Sequence, residues 1–400
     1  MQNRDLYMSQ LIQYRDTPLI KVITGIRRCG KSTLLLLFEE YLLNSGIAPD
    51  HIIRINFESF EFDSIVDYKQ MHTYIKQRLI NKSDRYYLLL DEVQVIVSWE
   101  KVINAFLVDA NVDIYITGSN AYLLSSELST LLSGRYVEIK MQALSFKEYL
   151  QFRHITSSEE IKKAFNDYLE FGALPIITEL IKHPDTIGPF LEGIYNTVLM
   201  KDVIERNEIR DGALLENILK FVAANVGNII STKKISDYLT SSGRKTTSDT
   251  IDNYLKMLES AFIIYKANRY DLKGKLFLKT LEKYYIVDIG IRNQLTGMRN
   301  TDYGYVLENV VYLELIRRGF DVAIGKIGPL EVDFVATKAN AKAYYQVCAT
   351  ILDESTRNRE LKPLLSIKDN YPKYILTMDQ TPFDDYSGIK IQNIIDFLIE

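Results

Sequence analysis

The chain has 400 residues, enough for two or three domains of ordinary size. With 47% hydrophobic and 25% charged residues, its composition excludes a globally disordered protein. The net charge of −4 excludes nucleic-acid binding through the charge of the whole molecule, so such a partner requires a local basic patch.

Two cysteines provide neither a disulfide framework nor a zinc site. The polar N-terminal segment lacks the apolar core of a signal peptide. No apolar run reaches the roughly 20 residues that cross a bilayer. We therefore expect a cytoplasmic protein without a membrane partner.

A phosphate-binding loop is the first motif along the chain. Residues 25–32 read GIRRCGKS and match the pattern G-x-x-x-x-G-K-[ST]. A β-branched stretch at 19–24 predicts a strand before the motif, and a Leu-rich stretch at 33–40 predicts a helix after it. In this context, backbone N–H groups and the positive end of the helix bind phosphate oxygens. The sequence therefore predicts binding of ATP.

The residues of this loop have separate predicted roles. Lys31 reaches the β- and γ-phosphates, and the Ser32 hydroxyl is a Mg²⁺ ligand. Cys29 is interpreted as a small side chain that the loop tolerates rather than as a redox site. The nucleotide-binding candidates are Gly25, Ile26, Arg27, Arg28, Cys29, Gly30, Lys31, Ser32 and Thr33.

A second strand carries the acids that hydrolysis needs. An apolar run at 86–90 leads directly into Asp91 and Glu92, which predicts a buried parallel strand with acids at its carboxyl end. We expect Asp91 to hold Mg²⁺ through water and Glu92 to orient and polarise the attacking water. Asn56, which ends an earlier predicted strand, is an alternative partner for Glu92 that would hold it inactive.

Three polar residues after the next strand complete the predicted site. The strand at 112–117 leads into Ser119 and Asn120, and either can contact the γ-phosphate or the lytic water. Arg135 follows a predicted helix and precedes a strand at 136–140, near one edge of the nucleotide-binding face. From the same or a neighbouring subunit, its guanidinium would stabilise charge on the transferring phosphoryl group. The alternative is a surface or carboxylate-paired arginine.

The order of these motifs resembles a family of prokaryotic AAA+-type ATPases whose C-terminal domain, of uncharacterised function, is similar to restriction endonucleases. The resemblance rests on the segments GIRRCGKST, YYLLLDEVQ, ITGSNAYLL, LSGRYVEI and MQALSFKEYL. It implies that Ser119 or Asn120 is the sensor 1 residue and that Arg135 stands where an arginine finger of a homo-oligomer is expected. Arg27 and Arg28 also match, and DNA, nucleotide and a neighbouring subunit are the alternatives for their contact.

A winged helix-turn-helix is predicted for residues 209–292. The three helices are predicted at 214–226, 231–239 and 247–260, and the two strands at 262–267 and 275–278. Residues 231–280 hold ten basic and five acidic residues, a local charge of +5. This charge favours double-stranded DNA as the partner, with one helix in the major groove. The alternative is a protein-docking module.

The C-terminal segment resembles the core of PD-(D/E)xK nucleases. Glu308 on a predicted helix and Asp333 on a predicted strand match two metal-holding carboxylates. Gln346 stands where another carboxylate is expected, and Cys348 stands where the lysine is expected. Because a thiol cannot replace a cationic lysine, we predict a retained fold without cleavage, with Lys338 and Lys342 as nearby alternatives.

These features predict an α/β protein with an AAA+-type parallel sheet, a winged helix and a small nuclease-like α/β domain. The predicted domains are an ATPase at 1–152, a helical lid or linker at 153–208, a winged helix at 209–292 and the nuclease-like domain at 293–400. The predicted function is Mg²⁺-dependent ATP hydrolysis coupled to DNA binding. An ATP-gated oligomerising protein switch and an ATP-dependent endonuclease are the alternatives.

Overall fold

The computed structural model describes residues 2–81, 83–119, 132, 134–278, 281–297, 302–380 and 385–400. The chain divides into two compact units. The first comprises residues 1–143 and 260–262, and the second comprises residues 144–259 and 263–400. Within the described residues, no helix is both long and apolar enough to cross a bilayer.

Helices and strands alternate along the first unit. They are α1 (Asp5–Gln13), β1 (Ile20–Thr24), α2 (Lys31–Asn44), β2 (Ile52–Asn56), α3 (Tyr68–Arg78), β3 (Tyr86–Asp91), α4 (Trp99–Asp109), β4 (Val112–Gly118) and β5 (Tyr136–Lys140).

The strands of the first unit form one parallel sheet in the order β2-β3-β4-β1-β5. Every residue of β1, β3 and β4 is buried, because helices cover both faces of such a sheet. This burial explains why these strands read as continuous apolar runs. The sheet confirms the predicted α/β class, and it brings the carboxyl ends of β1, β3 and β4 to one edge.

The second unit begins with helices and ends with a large mixed sheet. Its helices are α5 (Phe146–Phe152), α6 (Ser158–Phe171), α7 (Ile177–Leu180), α8 (Ile187–Thr197), a π-helical segment (Val198–Glu205), α9 (Gly212–Ala224), α10 (Thr232–Ser241), α11 (Ser248–Ser260), α12 (Ile289–Thr296), α13 (Tyr303–Arg317), α14 (Glu354–Leu365) and α15 (Ile394–Ile399). Its strands are β6 (Ile229–Ile230), β7 (Ile264–Ala267), β8 (Arg269–Asp271), β9 (Leu276–Phe277), β10 (Glu282–Ile286), β11 (Asp321–Ile327), β12 (Leu330–Lys338), β13 (Ala341–Cys348), β14 (Lys373–Thr377), β15 (Asp385–Tyr386) and β16 (Ile389–Asn393).

Helices α9, α10 and α11 lie where the sequence predicts them, but the predicted hairpin is wrong. Strand β7 pairs antiparallel with β10, which also pairs with β6, instead of pairing with residues 275–278. Burial selects this partner, because Tyr284 and Tyr285 of β10 are buried whereas Leu276 and Phe277 of β9 are exposed. Strand β9 pairs with β8 instead, and β8 joins the large sheet beside β11.

The large sheet has the order β15-β16-β14-β13-β12-β11-β8-β9. Strand β12 is antiparallel to β11 and β13, whereas β13, β14 and β16 are mutually parallel. Helices α13 and α14 pack against its central strands. This arrangement brings Glu308, Asp333 and Gln346, which lie far apart in the sequence, into one region.

Candidate functional site

The phosphate-binding loop connects the end of β1 to the start of α2. Gly25 has a φ of 146°, and a Cβ atom at this position would overlap the carbonyl oxygen of Met141. Gly30, with a φ of 104°, precedes the first residue of α2 in a left-handed conformation. Both positions therefore require glycine, Gly25 because of the close approach to Met141 and Gly30 because of its positive φ.

Arg4 braces this loop from just before α1. Its buried guanidinium donates from Nη1 to the carbonyl oxygens of Cys29 at 3.1 Å and Gln142 at 2.7 Å, and from Nη2 to that of Ala143 at 3.1 Å. The guanidinium also lies over the Tyr7 ring, 4.7 Å from its centroid. Sequence reasoning missed Arg4, because no motif marks an arginine that bonds to distant backbone carbonyls.

The two arginines of the loop have different surroundings. Arg27 donates from Nη1 to Oε1 of Glu58 at 3.3 Å. Arg28 is exposed and has a left-handed φ of 66°. Cys29 is fully buried, and burial raises the pKa of its thiol, which agrees with a structural role. Ile26 is buried, whereas Ser32 and Thr33 lie exposed in the first turn of α2.

Lys31 folds back onto its own loop. Its Nζ donates to the carbonyl oxygens of Gly25 at 3.0 Å and Ile26 at 3.2 Å. The same atom lies 3.7 Å from Oε1 of Glu92. A phosphate group in the loop would compete with these partners for the ammonium, since charge-assisted contacts to phosphate are strong.

Asp91 and Ser32 meet at the carboxyl end of β3. The Thr117 hydroxyl, on the adjacent strand β4, donates to Oδ1 of Asp91 at 2.5 Å, and the Ser32 side chain also hydrogen-bonds to Asp91. Burial raises the pKa of Asp91, while these two hydrogen bonds oppose the rise. A carboxylate and a hydroxyl are suitable ligands for Mg²⁺, which keeps several waters and needs few protein groups. Among the described residues, no three His, Cys, Asp or Glu side chains are grouped to hold a metal without such waters.

Glu92 leaves the strand in a left-handed conformation with φ 52° and ψ 47°. Its backbone N–H donates to the Thr117 hydroxyl oxygen at 2.9 Å. The Gln94 amide donates from Nε2 to Oε2 of Glu92 at 2.5 Å. Asn56, the alternative partner from the sequence, instead accepts a hydrogen bond from the backbone N–H of Glu58 at 2.9 Å. Sequence reasoning missed Thr117 and Gln94, although both lie within segments that it identified.

The remaining predicted residues have mixed outcomes. Ser119 is buried just beyond β4, and Asn120 lies outside the described residues. Arg135 immediately precedes β5, and its carbonyl oxygen accepts from the backbone N–H of Ile20 at 2.8 Å. It therefore lies at the amino edge of the sheet, about 15 Å along the strands from the loop that follows Thr24. The expectation that Arg135 lies near the nucleotide-binding face of its own chain is wrong, because parallel strands begin at the opposite edge.

In the second unit, Glu308 and Asp333 meet at a buried lysine that the sequence did not indicate. Nζ of Lys283, on β10, lies 2.9 Å from Oε1 of Glu308, 2.8 Å from Oε1 of Glu331 and 3.9 Å from Oδ1 of Asp333. Tyr285 donates its hydroxyl to the same oxygen of Glu308 at 2.7 Å. Burial opposes the charge of Lys283, but the three carboxylates outweigh burial and raise its pKa. Burial and the charge of Glu308 raise the pKa of Asp333 well above its usual range.

Gln346 and Cys348 are the other two residues that the sequence analysis singled out in this domain. Oε1 of Gln346 accepts from the backbone N–H of Asp333 at 3.4 Å. Cys348 is buried, and burial together with nearby carboxylates raises the pKa of its thiol to about 12. Of the two alternative lysines, Lys338 donates to the carbonyl oxygen of Arg318 at 2.7 Å and Lys342 lies over the Tyr344 ring. The cation in contact with the carboxylates is thus Lys283.

Two domain families match parts of this chain. Residues 17–150 match an AAA domain family, and residues 162–302 match a domain of unknown function, DUF8612. The first match covers the phosphate-binding loop, the Asp91–Glu92 pair and Arg135. The second covers the region from α6 to the residue that precedes α13.

Known proteins resemble the chain over most of its length. An uncharacterized protein of Haemophilus influenzae is 42% identical over 404 residues, which cover 100% of this chain and 99% of that protein. An uncharacterized protein of Methanocaldococcus jannaschii is 31% identical over 95% of this chain and 86% of its own length. A solved structure of a Walker-type ATPase from Pyrococcus abyssi shares the fold with a TM-score of 0.51 and 18% identity, covering 74% of this chain and 96% of that one.

Proposed function

Because the chain belongs to one family with its Haemophilus influenzae relative, and its residues 17–150 form an AAA-type ATPase domain, we propose that it binds ATP with Mg²⁺ and hydrolyses it. The observation that carries the proposal is the meeting of two motifs, the phosphate-binding loop and the Asp91–Glu92 pair, at one sheet edge. Lys31 lies 3.7 Å from Glu92, and Ser32 hydrogen-bonds to Asp91. Nucleotide binding alone would not require a carboxylate in this position.

The residues of the phosphate-binding loop and of the Asp91–Glu92 pair have separate roles in the proposed hydrolysis. The loop backbone and Lys31 bind the phosphates and neutralise charge that develops on the transferring group. Ser32 and, through water, Asp91 would hold Mg²⁺, which would polarise the phosphoryl oxygens as a Lewis acid. The Glu92 carboxylate orients the attacking water and accepts its proton as the new P–O bond forms and the bond from the γ-phosphorus to the β–γ bridging oxygen breaks, which releases ADP. Ser119 or Asn120 would contact the γ-phosphate or this water.

Replacing Lys31 tests the phosphate-binding role. We expect Lys31→Ala to weaken ATP binding by at least a hundredfold, because the ammonium contacts the phosphates through charge-assisted hydrogen bonds. Isothermal titration calorimetry with a non-hydrolysable ATP analogue and Mg²⁺ measures this change. Lys76→Ala, an exposed change on α3 of the same unit, is the matched control. Unchanged affinity in Lys31→Ala would contradict the proposed site.

We propose double-stranded DNA as the partner that hydrolysis serves. Helices α9, α10 and α11, with β6 between the first two helices and β7 and β10 after the third, have the element order of a winged helix, and the three strands form one sheet. Lys233, Lys234 and Lys245 are exposed on and after α10. These residues would contact phosphates, while α11 would enter the major groove.

Turnover measured with and without duplex DNA tests this coupling. We expect DNA to stimulate ATP hydrolysis at low salt, and the stimulation to fall steeply between 50 and 200 mM salt as counterion release predicts. Lys233→Glu with Lys245→Glu should abolish stimulation while basal turnover remains. Lys162→Glu with Lys163→Glu, on α6, is the charge-matched control. Absence of DNA binding at low salt would contradict this partner.

A second candidate function is an ATP-gated assembly of identical chains. Its support is the position of Arg135, which is exposed at the sheet edge opposite its own loop. From there it would reach the nucleotide of a neighbouring copy rather than its own. ATP-dependent assembly without any effect of DNA would favour this function over DNA coupling.

A further inference from the structure

Among the described residues, two groups hold the Glu92 carboxylate, and each contacts a different oxygen. Oε1 lies 3.7 Å from Nζ of Lys31, whereas Oε2 accepts the 2.5 Å hydrogen bond from Nε2 of Gln94. The nearby acid Asp91 is engaged by Thr117 and Ser32. The orientation of Glu92 therefore depends on one charged partner and one neutral partner.

These two partners respond differently to nucleotide. Lys31 is the phosphate-binding lysine of the loop, so a bound γ-phosphate draws its ammonium away from Glu92. Gln94 belongs to the 3₁₀ turn Val93–Val95 that directly follows Glu92, and it has no such second task. When ATP binds, Gln94 remains to hold the carboxylate.

The local backbone is arranged for this contact. Glu92 has a left-handed conformation that non-glycine residues seldom adopt, and its N–H is fixed by Thr117. This turn brings the side chain of Gln94 back to that of Glu92, two residues earlier in the sequence. Strained backbone of this kind concentrates at functional sites.

Gln94 is costly as a purely structural residue. Its Oε1 is buried, and no group in the described part of the chain hydrogen-bonds to it. A buried, unpaired amide oxygen destabilises a fold, and an apolar side chain of similar size would remove that cost. Stability alone does not explain a glutamine here, whereas a donor to Glu92 does.

We propose that Gln94 is a positioning residue. It holds Glu92 in the orientation for hydrolysis after bound ATP has drawn the Lys31 ammonium away. The inference rests on the proposed function and deepens it. It assigns the partner of the catalytic glutamate to the turn after β3 rather than to Asn56 on β2. A neutral amide suits this role, because its hydrogen bond fixes the carboxylate without neutralising the negative charge.

Gln94→Leu tests the proposal. We expect kcat for ATP hydrolysis to fall roughly tenfold to a hundredfold, as loss of alignment does. We expect the dissociation constant of ATP to stay within twofold and the melting temperature to change little, because the variant removes one unpaired amide oxygen while Oε2 of Glu92 loses its donor. A merely structural role predicts a lower melting temperature and weaker ATP binding together. Gln94→Glu, which replaces the donor by a second carboxylate, should lower kcat at least as far at pH 8.

Matched variants separate the possible failures. Val95→Ala, in the same turn and half exposed, should leave kcat unchanged. If the wild type hydrolyses ATP and Glu92→Gln does not, a kcat for Gln94→Leu within twofold of the wild type overturns this inference alone. If Glu92→Gln also turns over normally, the role of Glu92 is wrong and the inference falls with it. Absence of turnover in the wild type overturns both the proposed function and the inference.

Discussion

Glu92→Gln should bind ATP and stop hydrolysing it. We expect kcat to fall roughly 10²- to 10⁴-fold, because the amide fills the same space but cannot accept the proton of the attacking water. ATP affinity should be retained or rise, because the change removes a carboxylate that lies 3.7 Å from Nζ of Lys31. Steady-state phosphate release and calorimetric titration with ATP measure the two quantities separately.

An isosteric change elsewhere in the unit controls for the loss of one carboxylate. Glu40 is exposed on α2, and Glu40→Gln should leave both kcat and ATP affinity unchanged. Turnover of Glu92→Gln at the wild-type rate would show that another group activates the water. Loss of ATP binding in Glu92→Gln would instead indicate damage to the loop.

Lys283→Ala should destabilise the second unit by about 3–5 kcal/mol, the usual cost of breaking a buried ion pair from one side. The change leaves Glu308, Glu331 and Asp333 around a cavity with no cation between them. Lys283 lies on β10, whereas the carboxylates lie on α13 and β12, so the loss separates elements that come from different parts of the chain. Urea unfolding followed by circular dichroism, with amide exchange of β10 and β12, measures the effect.

The pH dependence of the unfolding free energy of this variant distinguishes an unpaired buried carboxylate from lost packing. The folded-state pKa of Asp333 is already raised by burial, and removal of the nearby ammonium raises it further. Such a group favours the folded state at low pH and loses this contribution as pH rises through its folded pKa. The loss of unfolding free energy in Lys283→Ala, relative to the wild type, should therefore be smaller at pH 5 than at pH 8.

Lys266→Ala is the control for this variant. Lys266 lies on the neighbouring strand β7, and its Nζ pairs with Glu282 at 2.9 Å with a side chain that is 35% exposed. A partly exposed pair contributes at most about 1 kcal/mol. Equal urea midpoints for Lys283→Ala, Lys266→Ala and the wild type would contradict a central role for Lys283.

The nucleotide site was largely predictable from the sequence, because its parts are local motifs. A loop between a strand and a helix must place its N–H groups at the helix start. Residues 25–32 and their flanking segments therefore predict the phosphate site without any distant contact. Asp91 and Glu92 follow a buried strand directly, and parallel strands bring such ends to a shared edge. The sequence could not choose Gln94 over Asn56, since the choice depends on the left-handed backbone of Glu92.

The sequence by itself determined the motif residues of the ATPase domain and the α/β class, because both depend on contiguous patterns of apolar, glycine and charged residues. Only the tertiary structure decided that β7 pairs with β10, that Arg135 lies away from its own loop, and that Lys283 rather than Lys338 or Lys342 meets Glu308 and Asp333. Each of these outcomes joins segments that are distant along the chain. Strand order, direction and burial determine such contacts, and local periodicity does not encode them.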